Sequence, residues 1–542
     1  MSQDPTPAGT AEQAGQMTHK EILEALSGLL LAMFVAMLSS TVVTNALPRI
    51  VTDLHGSQTG YTWVIVATML AMTATTPIWG KLADLFAKKT LMLVALTVYM
   101  LGSALAGVSQ SMEMLIGARV LTGVGVGGVM ALIQIIIATM VSPRERGRYA
   151  GYIGASFGLA TLSGPLIGGV VVDSPLGWRG CFYVALPFAI ASFLLLRAKL
   201  HLPVVKRQVQ IDYLGAVLLM GGVSLLLIWV SLAGHQFEWL SLATVLMVAG
   251  GIVLLALAVL VEARVAPEPI IPLFLFKDRT MVLATIATIS VGIAMFGATT
   301  FLSEYFQTSR GMSPTAAGLM SLCMVGGLMV VGIVSGKAIT DTGRWKGWLV
   351  GGMAVAVLGT VLLATIDAHT SLWTVGAYMA VLGCGLGATQ QNLLLAVQNN
   401  VDQANIGAAS SLVNFFRSMG GAVGVSALGA VLAHDVTSDV TSGVAKLVAQ
   451  GTLRPEDVGS LGHGAVPDVA ALPGPLRTVF ENAFGDATGH IFVYTVPFAL
   501  VALIAVCFIK ETRLRTSLGD LSEPEIDMEL AAELEAGGGG RR

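Results

Sequence analysis

Charge is scarce in this chain. Asp, Glu, Lys and Arg make up 12% of its 542 residues, about half of the roughly 25% typical of soluble domains. With 54% hydrophobic residues and a mean hydropathy of +0.77, a water-soluble surface is excluded. Cysteine is scarcer still. Cys181, Cys323, Cys384 and Cys507 all fall inside apolar stretches, which leaves neither a disulfide framework nor a metal-ligand spacing. No cofactor is expected. The eight histidines, at 19, 55, 201, 235, 369, 434, 463 and 490, are scattered, and no GxxxxGK[ST] phosphate loop occurs. A net charge of -3 is too small to recruit nucleic acid.

Long apolar runs are what the chain has instead. Fourteen are read, at roughly 26 to 47, 61 to 80, 90 to 109, 113 to 139, 149 to 172, 181 to 198, 213 to 233, 239 to 262, 280 to 308, 314 to 336, 347 to 366, 371 to 397, 406 to 433 and 489 to 509. At 1.5 Å per residue, about 20 residues cross the roughly 30 Å hydrocarbon core of a bilayer. The sequence predicts an all-α integral membrane protein of 14 spans. The 63 glycines fit, since small residues let helices approach in lipid.

Basic residues set the orientation. Six lie in segments on one side (Arg49, Arg179, Arg310, Lys446, Arg454 and Arg477) and two inside spans (Arg119 and Arg417); every other Lys and Arg lies on the opposite side. The positive-inside rule therefore makes both termini cytoplasmic. A polar stretch precedes the first span, which is expected to act as an uncleaved anchor.

Span 2 ends in GKLADLFAKK (Gly80 to Lys89) and span 10 in GKAITDTGRWK (Gly336 to Lys346). Each opens Gly-Lys, places an acid four or five residues on and closes with basic residues, which reads as an internal duplication. The first copy follows the second span of a leading six and the second follows the second span of a trailing six. Spans 7 and 8 are then an inserted pair. A duplicated plan of this kind is that of a secondary transporter with its site between the halves.

Four motifs resemble the major facilitator superfamily, and 14 spans place the resemblance with its drug:proton antiporter-2 branch, over about residues 20 to 515. GKLADLFAKK is similar to the loop signature GxLaDrxGrk at Gly80, Leu82, Asp84, Lys88 and Lys89, departing at Leu85 and Ala87. ARVLTGVGVGG (Ala118 to Gly128) resembles the fourth-span RxxqGxg pattern. Gly164, Pro165, Gly168 and Gly169 match the fifth-span antiporter motif GPxxGG. STVVTNALP (Ser40 to Pro48) resembles LDxTIVNVALP, with Ser39 where that pattern has its aspartate. PIIPLFLFKDR (Pro269 to Arg279) and NFFRSMGG (Asn414 to Gly421) are weaker echoes. The resemblance implies the major facilitator fold, two six-helix bundles plus two inserted helices, and a latch at Asp84 joining the cytoplasmic ends of the halves.

Read as chemistry, Asp84 sits four residues before Lys88, so it either pairs with that side chain or accepts from a helix amino terminus. Gly123, Gly125 and Gly128 satisfy GxGxxG, but inside an apolar span with no preceding strand they are helix-packing residues and not a dinucleotide loop. In span 5, Gly147, Gly151, Gly154 and Gly158 recur at helical spacing before the Gly164 to Gly169 string.

Arg119, Glu304 and Arg417 are charges well inside spans. Each costs about 2.5 to 3.5 kcal/mol facing lipid at mid-bilayer and so should face the bundle interior or a water-filled cavity. Glu304 is the one carboxylate well inside a span, and it is expected to titrate, with Arg119 as its companion in proton coupling; a structural ion pair between Glu304 and Arg119 or Arg417, or an interfacial residue facing water, is the alternative. Thr389, Gln390, Gln391, Asn392 and Asn399 on span 12 either bridge helices or offer ligand contacts. Met33, Phe34, Met37, Trp63, Met72, Met295, Phe296, Phe301, Tyr305 and Phe306 line an adaptable cavity or pack against helices and lipid. The substrate-cavity candidates are Met37, Ser39, Thr44, Asn45, Phe296, Tyr305, Gln390, Gln391, Asn392 and Arg417.

The expected organisation is a cytoplasmic tail (1–20), an N-terminal bundle (21–200), the inserted pair (201–265), a C-terminal bundle (266–512) with one extracellular loop at 434–488, and an acidic tail (513–542). The expected function is proton-coupled export of small amphipathic drug-like molecules from a bacterial cell by a plasma-membrane monomer, with protons, substrate and the lipid bilayer as its partners. Export of one dedicated metabolite is the alternative within transport. The alternative from another class is a polytopic membrane enzyme such as a lipid-linked transferase, which needs a loop-borne acid or histidine cluster that the pattern lacks.

Overall fold

The computed structural model describes residues 19–54, 58–141, 149, 152–153, 156, 158–160, 163–164, 167–168, 170–172, 174–200, 202, 212–232, 237–238, 240, 241–264, 273–312, 314–402, 405–450 and 474–514. The regular elements among them are all helical, as expected where the bilayer leaves each backbone group to find its partner within its own segment. They run α1 (His19–Asp53), α2 (Gln58–Leu85), α3 (Lys88–Gly107), α4 (Met112–Met140), α5 (Gly177–Tyr183), α6 (Ala185–Lys199), α7 (Tyr213–Leu232), α8 (Leu242–Arg264), α9 (Arg279–Glu304), α10 (Pro314–Thr342), α11 (Lys346–Leu363), α12 (Leu372–Asn400), α13 (Ile406–Ala449) and α14 (Gly474–Phe508). Helices α5 and α6 share the sixth predicted span. Pro187 has no N–H to offer the Tyr183 carbonyl, so the ladder breaks between them. The fifth span, 149–172, is described only in part. Among the described residues, 11 helical segments are long and apolar enough to cross a membrane.

Two cores form. One joins α1 to α6 around Leu29, Leu96, Ile136 and Leu196 and, at the other end of the same helices, Leu47, Ile50, Leu115 and Phe182. The second joins α9 to α14 around Phe306, Trp345, Leu382 and Ile491. The pair α7 and α8 packs on the seam between them, where Leu219, Val223 and Ala258 meet Leu70 and Ala74 of α2 and Phe415 of α13. Much of the remaining surface of α8, from Val245 to Leu260, is exposed and apolar, as a lipid-facing helix requires.

Glycines in α4 and α12 repeat one packing scheme in both cores. In α4, a Cβ on Gly123 or Gly127 would press on the α2 carbonyls of Thr68 and Met72, at 2.4 and 2.6 Å, while one on Gly125 would meet Tyr99 of α3. In α12, Gly383 and Gly387 abut the α10 carbonyls of Met324 and Leu328, at 2.0 and 2.3 Å, while Gly385 abuts Ala356 of α11. Alternate glycines thus let a fourth helix touch the backbones of the second and third in each half, and no larger side chain fits.

The expected loop at 434–488 is corrected. Helix α13 continues to Ala449 and α14 begins at Gly474, so 434–449 and 474–488 are helical. At about 1.5 Å per residue a 44-residue helix is far longer than the bilayer is thick, and its outer part pairs with α14 through buried Val436, Val444, Leu476 and Phe480. Residues 451–473 lie outside the described residues.

Candidate functional site

Asp84 reaches across the two halves. It lies beyond the apolar stretch of α2, and its Oδ1 and Oδ2 accept the N–H groups of Gly407 and Ala408, both at 2.9 Å. These N–H groups belong to the first turn of α13, which has no carbonyl of its own to satisfy them and carries the positive end of the helix dipole. No ion pair joins Asp84 to Lys88; Lys88 and Lys81 attract it through space. Burial pushes the Asp84 carboxyl up to about 7, outweighing the two N–H donors and the lysines. Two glycines permit the approach: a Cβ on Gly407 would lie 2.1 Å from Asp84 Oδ1, and one on Gly80 would lie 2.0 Å from Ser411 Oγ. Lys89 is half-buried beside this corner. A Gly407→Val variant is therefore expected to reach the membrane at the normal level but to turn over at least tenfold more slowly. An unchanged transport rate would mean that the two helices do not meet here during the cycle.

The second Gly-Lys copy caps differently. Helix α10 ends at Gly343, whose φ of +70° is left-handed and suits glycine, and Glu511 Oε1 accepts the Trp345 and Lys346 N–H groups at the start of α11, both at 3.2 Å.

Arg119 is buried in the N-terminal half, its Nε donating to the Val64 carbonyl at 3.4 Å. Thr68 donates to the carbonyl of Arg119. Ser39 is buried, and between the two stands Tyr99, whose hydroxyl lies near Ser39, Ser103 and Arg119 without a hydrogen bond of good geometry. Where the family pattern has an acid, this chain holds a serine, a tyrosine and an arginine.

Glu304 is half-buried and has no hydrogen bond or ion pair among the described residues, so neither pairing with Arg119 nor with Arg417 is formed. It is the last residue of α9 before a π-turn at Tyr305–Ser309, a backbone form frequent at functional sites. That turn is fixed on two sides. Tyr305 Oη donates to the Asp367 carbonyl at 2.9 Å, Ser309 Oγ to the Glu481 carbonyl at 2.7 Å, and the Arg310 guanidinium to the carbonyls of Ala368 and Thr370.

The remaining candidates divide. Gln390 and Gln391 are half-buried on α12, with no hydrogen bond from either amide among the described residues. Asn392 is buried and donates to Ala388 of its own helix, while Gln398 and Asn399 bridge to Ser410 of α13 and to Thr512. Met37 is half-buried, and Phe296 is half-buried against Gly421. Tyr305 is 1% exposed, with Phe306, Phe301 and Met295 in the same core. It packs inside the C-terminal half, against the expectation of a cavity-lining ring. Gly164 of the antiporter motif abuts Thr41 of α1, and Gly168 is buried. Pro165, Gly169 and the side chains of Thr44 and Asn45 lie outside the described residues.

Two helical bundles joined at one end by an acid on a helix terminus, with charges inside that are unpaired among the described residues, have the build of a membrane transporter. The chain belongs to the Major Facilitator Superfamily, whose family model matches residues 29–425. It is 33% identical over 515 residues to "Efflux pump dotC" of Dothistroma septosporum, covering 94% of this chain and 87% of that protein. It is 31% identical over 518 residues to "Multidrug transporter protein MdtP" of Bacillus subtilis, covering 92% and 95%. Among solved structures, the proton:xylose symporter XylE matches with a TM-score of 0.59 at 13% identity, over 92% of this chain and 98% of that one; this likeness shows the fold alone.

Proposed function

We propose that the chain is a proton-coupled exporter of small amphipathic molecules, working by alternating access in the plasma membrane as a 14-span protein with both termini cytoplasmic. In this arrangement α7 and α8 are spans inserted between bundles 21–200 and 266–512. The observation that carries the reading is the Asp84 carboxylate capping α13 from α2, because such a contact holds one end of the central space shut and releases it when the halves rock apart. Relatives named as efflux pumps in a fungus and a multidrug transporter in a bacterium support the outward direction in either kind of cell. Glu304, unpaired among the described residues, supplies a proton-exchanging group, and the Gln390 and Gln391 amides with Met37 and Phe296 supply mixed polar and adaptable contacts.

The experiment is uptake of a fluorescent dye into everted vesicles carrying an imposed pH gradient. Uptake is expected to follow the gradient, to collapse with a protonophore and to ignore ATP. Dye movement that persists without a gradient and is driven by ATP would overturn the reading.

A further inference from the structure

Buried hydroxyls on these helices mostly bond back to a carbonyl one turn earlier, as Thr75 does to Ala71, Thr122 to Ala118, Thr360 to Ala356 and Thr488 to Phe484. That is an available default for Ser and Thr inside a helix. Thr285 and Thr288 on α9 and Ser411 on α13 depart from it, each hydroxyl being buried without a partner among the described residues, and Asn414 Nδ2 is likewise without one. All four sit on one helix pair.

Helices α9 and α13 run with their backbones in near contact. A Cβ on Gly292 would come 2.1 Å from the Arg417 carbonyl oxygen, and one on Gly420 would come 2.3 Å from that of Ile289. Thr288 stands one turn before Gly292 and Thr285 one turn before Ile289, which places both on the side of α9 turned toward α13. On α13, Ser411, Asn414 and Arg417 follow on successive turns. The Arg417 guanidinium donates to Asn414 Oδ1, which uses the acceptor of that amide and leaves its donor idle. No acid pairs with Arg417 among the described residues. Glu304 is twelve residues beyond Gly292, about 18 Å along α9, and so is no counter-ion.

The result is a permanently charged guanidinium and a buried amide donor side by side, with hydroxyls able to donate; beyond Asn414 Oδ1 no acceptor or negative charge meets them among the described residues. A guanidinium fork matches a carboxylate in both geometry and charge. We propose that Arg417 and Asn414 form an anion subsite inside the C-terminal half, and that it receives a carboxylate or similarly compact anionic group of the transported molecule. The proposal rests on the exporter reading above and narrows its substrates to amphipathic molecules with an acidic end.

The test compares binding of a fluorescent naphthyl carboxylic acid and its methyl ester to the purified full-length protein. The acid is expected to bind at least tenfold more tightly than the ester. Arg417→Gln should abolish that preference while leaving ester affinity within about twofold, and Arg417→Lys should keep part of it; the ester serves as the check that each variant is folded. Equal affinity for acid and ester in the unmodified protein, or a preference that survives Arg417→Gln, would overturn the proposal. Arg417-dependent binding of chloride with no discrimination between acid and ester would also overturn it, in favour of a site for free anions. Gradient-driven dye uptake separates the two readings. If the dye is pumped and the acid preference is absent, the subsite alone falls; if the preference is present and no dye is pumped, the export reading falls and the subsite stands.

Discussion

Glu304→Gln is expected to insert normally and to bind neutral substrates, yet to lose uphill export down to the passive-leak level. The amide keeps the shape of the side chain and cannot exchange a proton. Among the described residues Glu304 has no hydrogen bond and no cation to neutralise it. Its position is nevertheless firm, because the π-turn that follows is bonded to the Asp367, Ala368 and Thr370 carbonyls on one side and to Glu481 on the other. A side chain held in place without a partner is suited to bind and release a proton as the cavity changes sides. Ser39→Asp in the Glu304→Gln background is expected to restore part of the coupling, since position 39 shares the neighbourhood of Tyr99 with Arg119. Drug accumulation in cells and proton release on substrate addition decide the matter: full gradient-driven export by Glu304→Gln would make this carboxylate structural.

Helices were legible in the sequence because the bilayer demands long apolar runs, and an internal duplication was suggested by the recurrence of Gly-Lys and an acid after the second and tenth runs. What stayed hidden depends on partners far apart in the chain. Asp84 offered two readings, a lysine four residues on or a helix terminus, and local spacing has no means of pointing to Gly407, 323 residues away. Gly407 carries a weak sign, a glycine in the first turn of a predicted helix. The stronger missed sign is the alternation of Gly383, Gly385 and Gly387, which parallels Gly123, Gly125 and Gly127 and would have extended the duplication to the fourth span of each half. Tyr99 is one aromatic among many apolar residues until the fold sets its hydroxyl between Ser39 and Arg119. The segment 434–488 read as a loop because its Gly, Pro and Asp content suits one. Its two ends continue helices that bury Val444 and Phe480 on each other, a stabilisation available only once α13 and α14 are paired.

The latch is expected to tighten as pH falls. In the closed arrangement burial holds the Asp84 carboxyl at about 7, against an ordinary aspartate value of 3.8 that a separated, hydrated Asp84 would approach. Between those values the closed form binds the proton and the open form does not, so acidification favours closure. Above about 7 both forms are ionised and this contribution is lost. Below the ordinary value both are protonated, and the preference for closure is fully present. Asp84→Asn removes the titration together with one acceptor, because an amide oxygen is able to serve Gly407 or Ala408 while its NH2 group faces the other N–H. Leaving one of the two buried N–H groups without an acceptor, which neither protonation state of the acid does, weakens the contact by about 1 to 3 kcal/mol, enough to lower turnover by on the order of tenfold. Fluorescent labels placed on the exposed ends of α2 and α13 report the separation directly. The unmodified protein should shift toward the short distance as pH is lowered from 8 to 5, and Asp84→Asn should stay at the longer distance across that range. A pH response retained in Asp84→Asn would place the titrating group elsewhere, and a variant that closes and transports as fast as the unmodified protein would remove Asp84 from the latch.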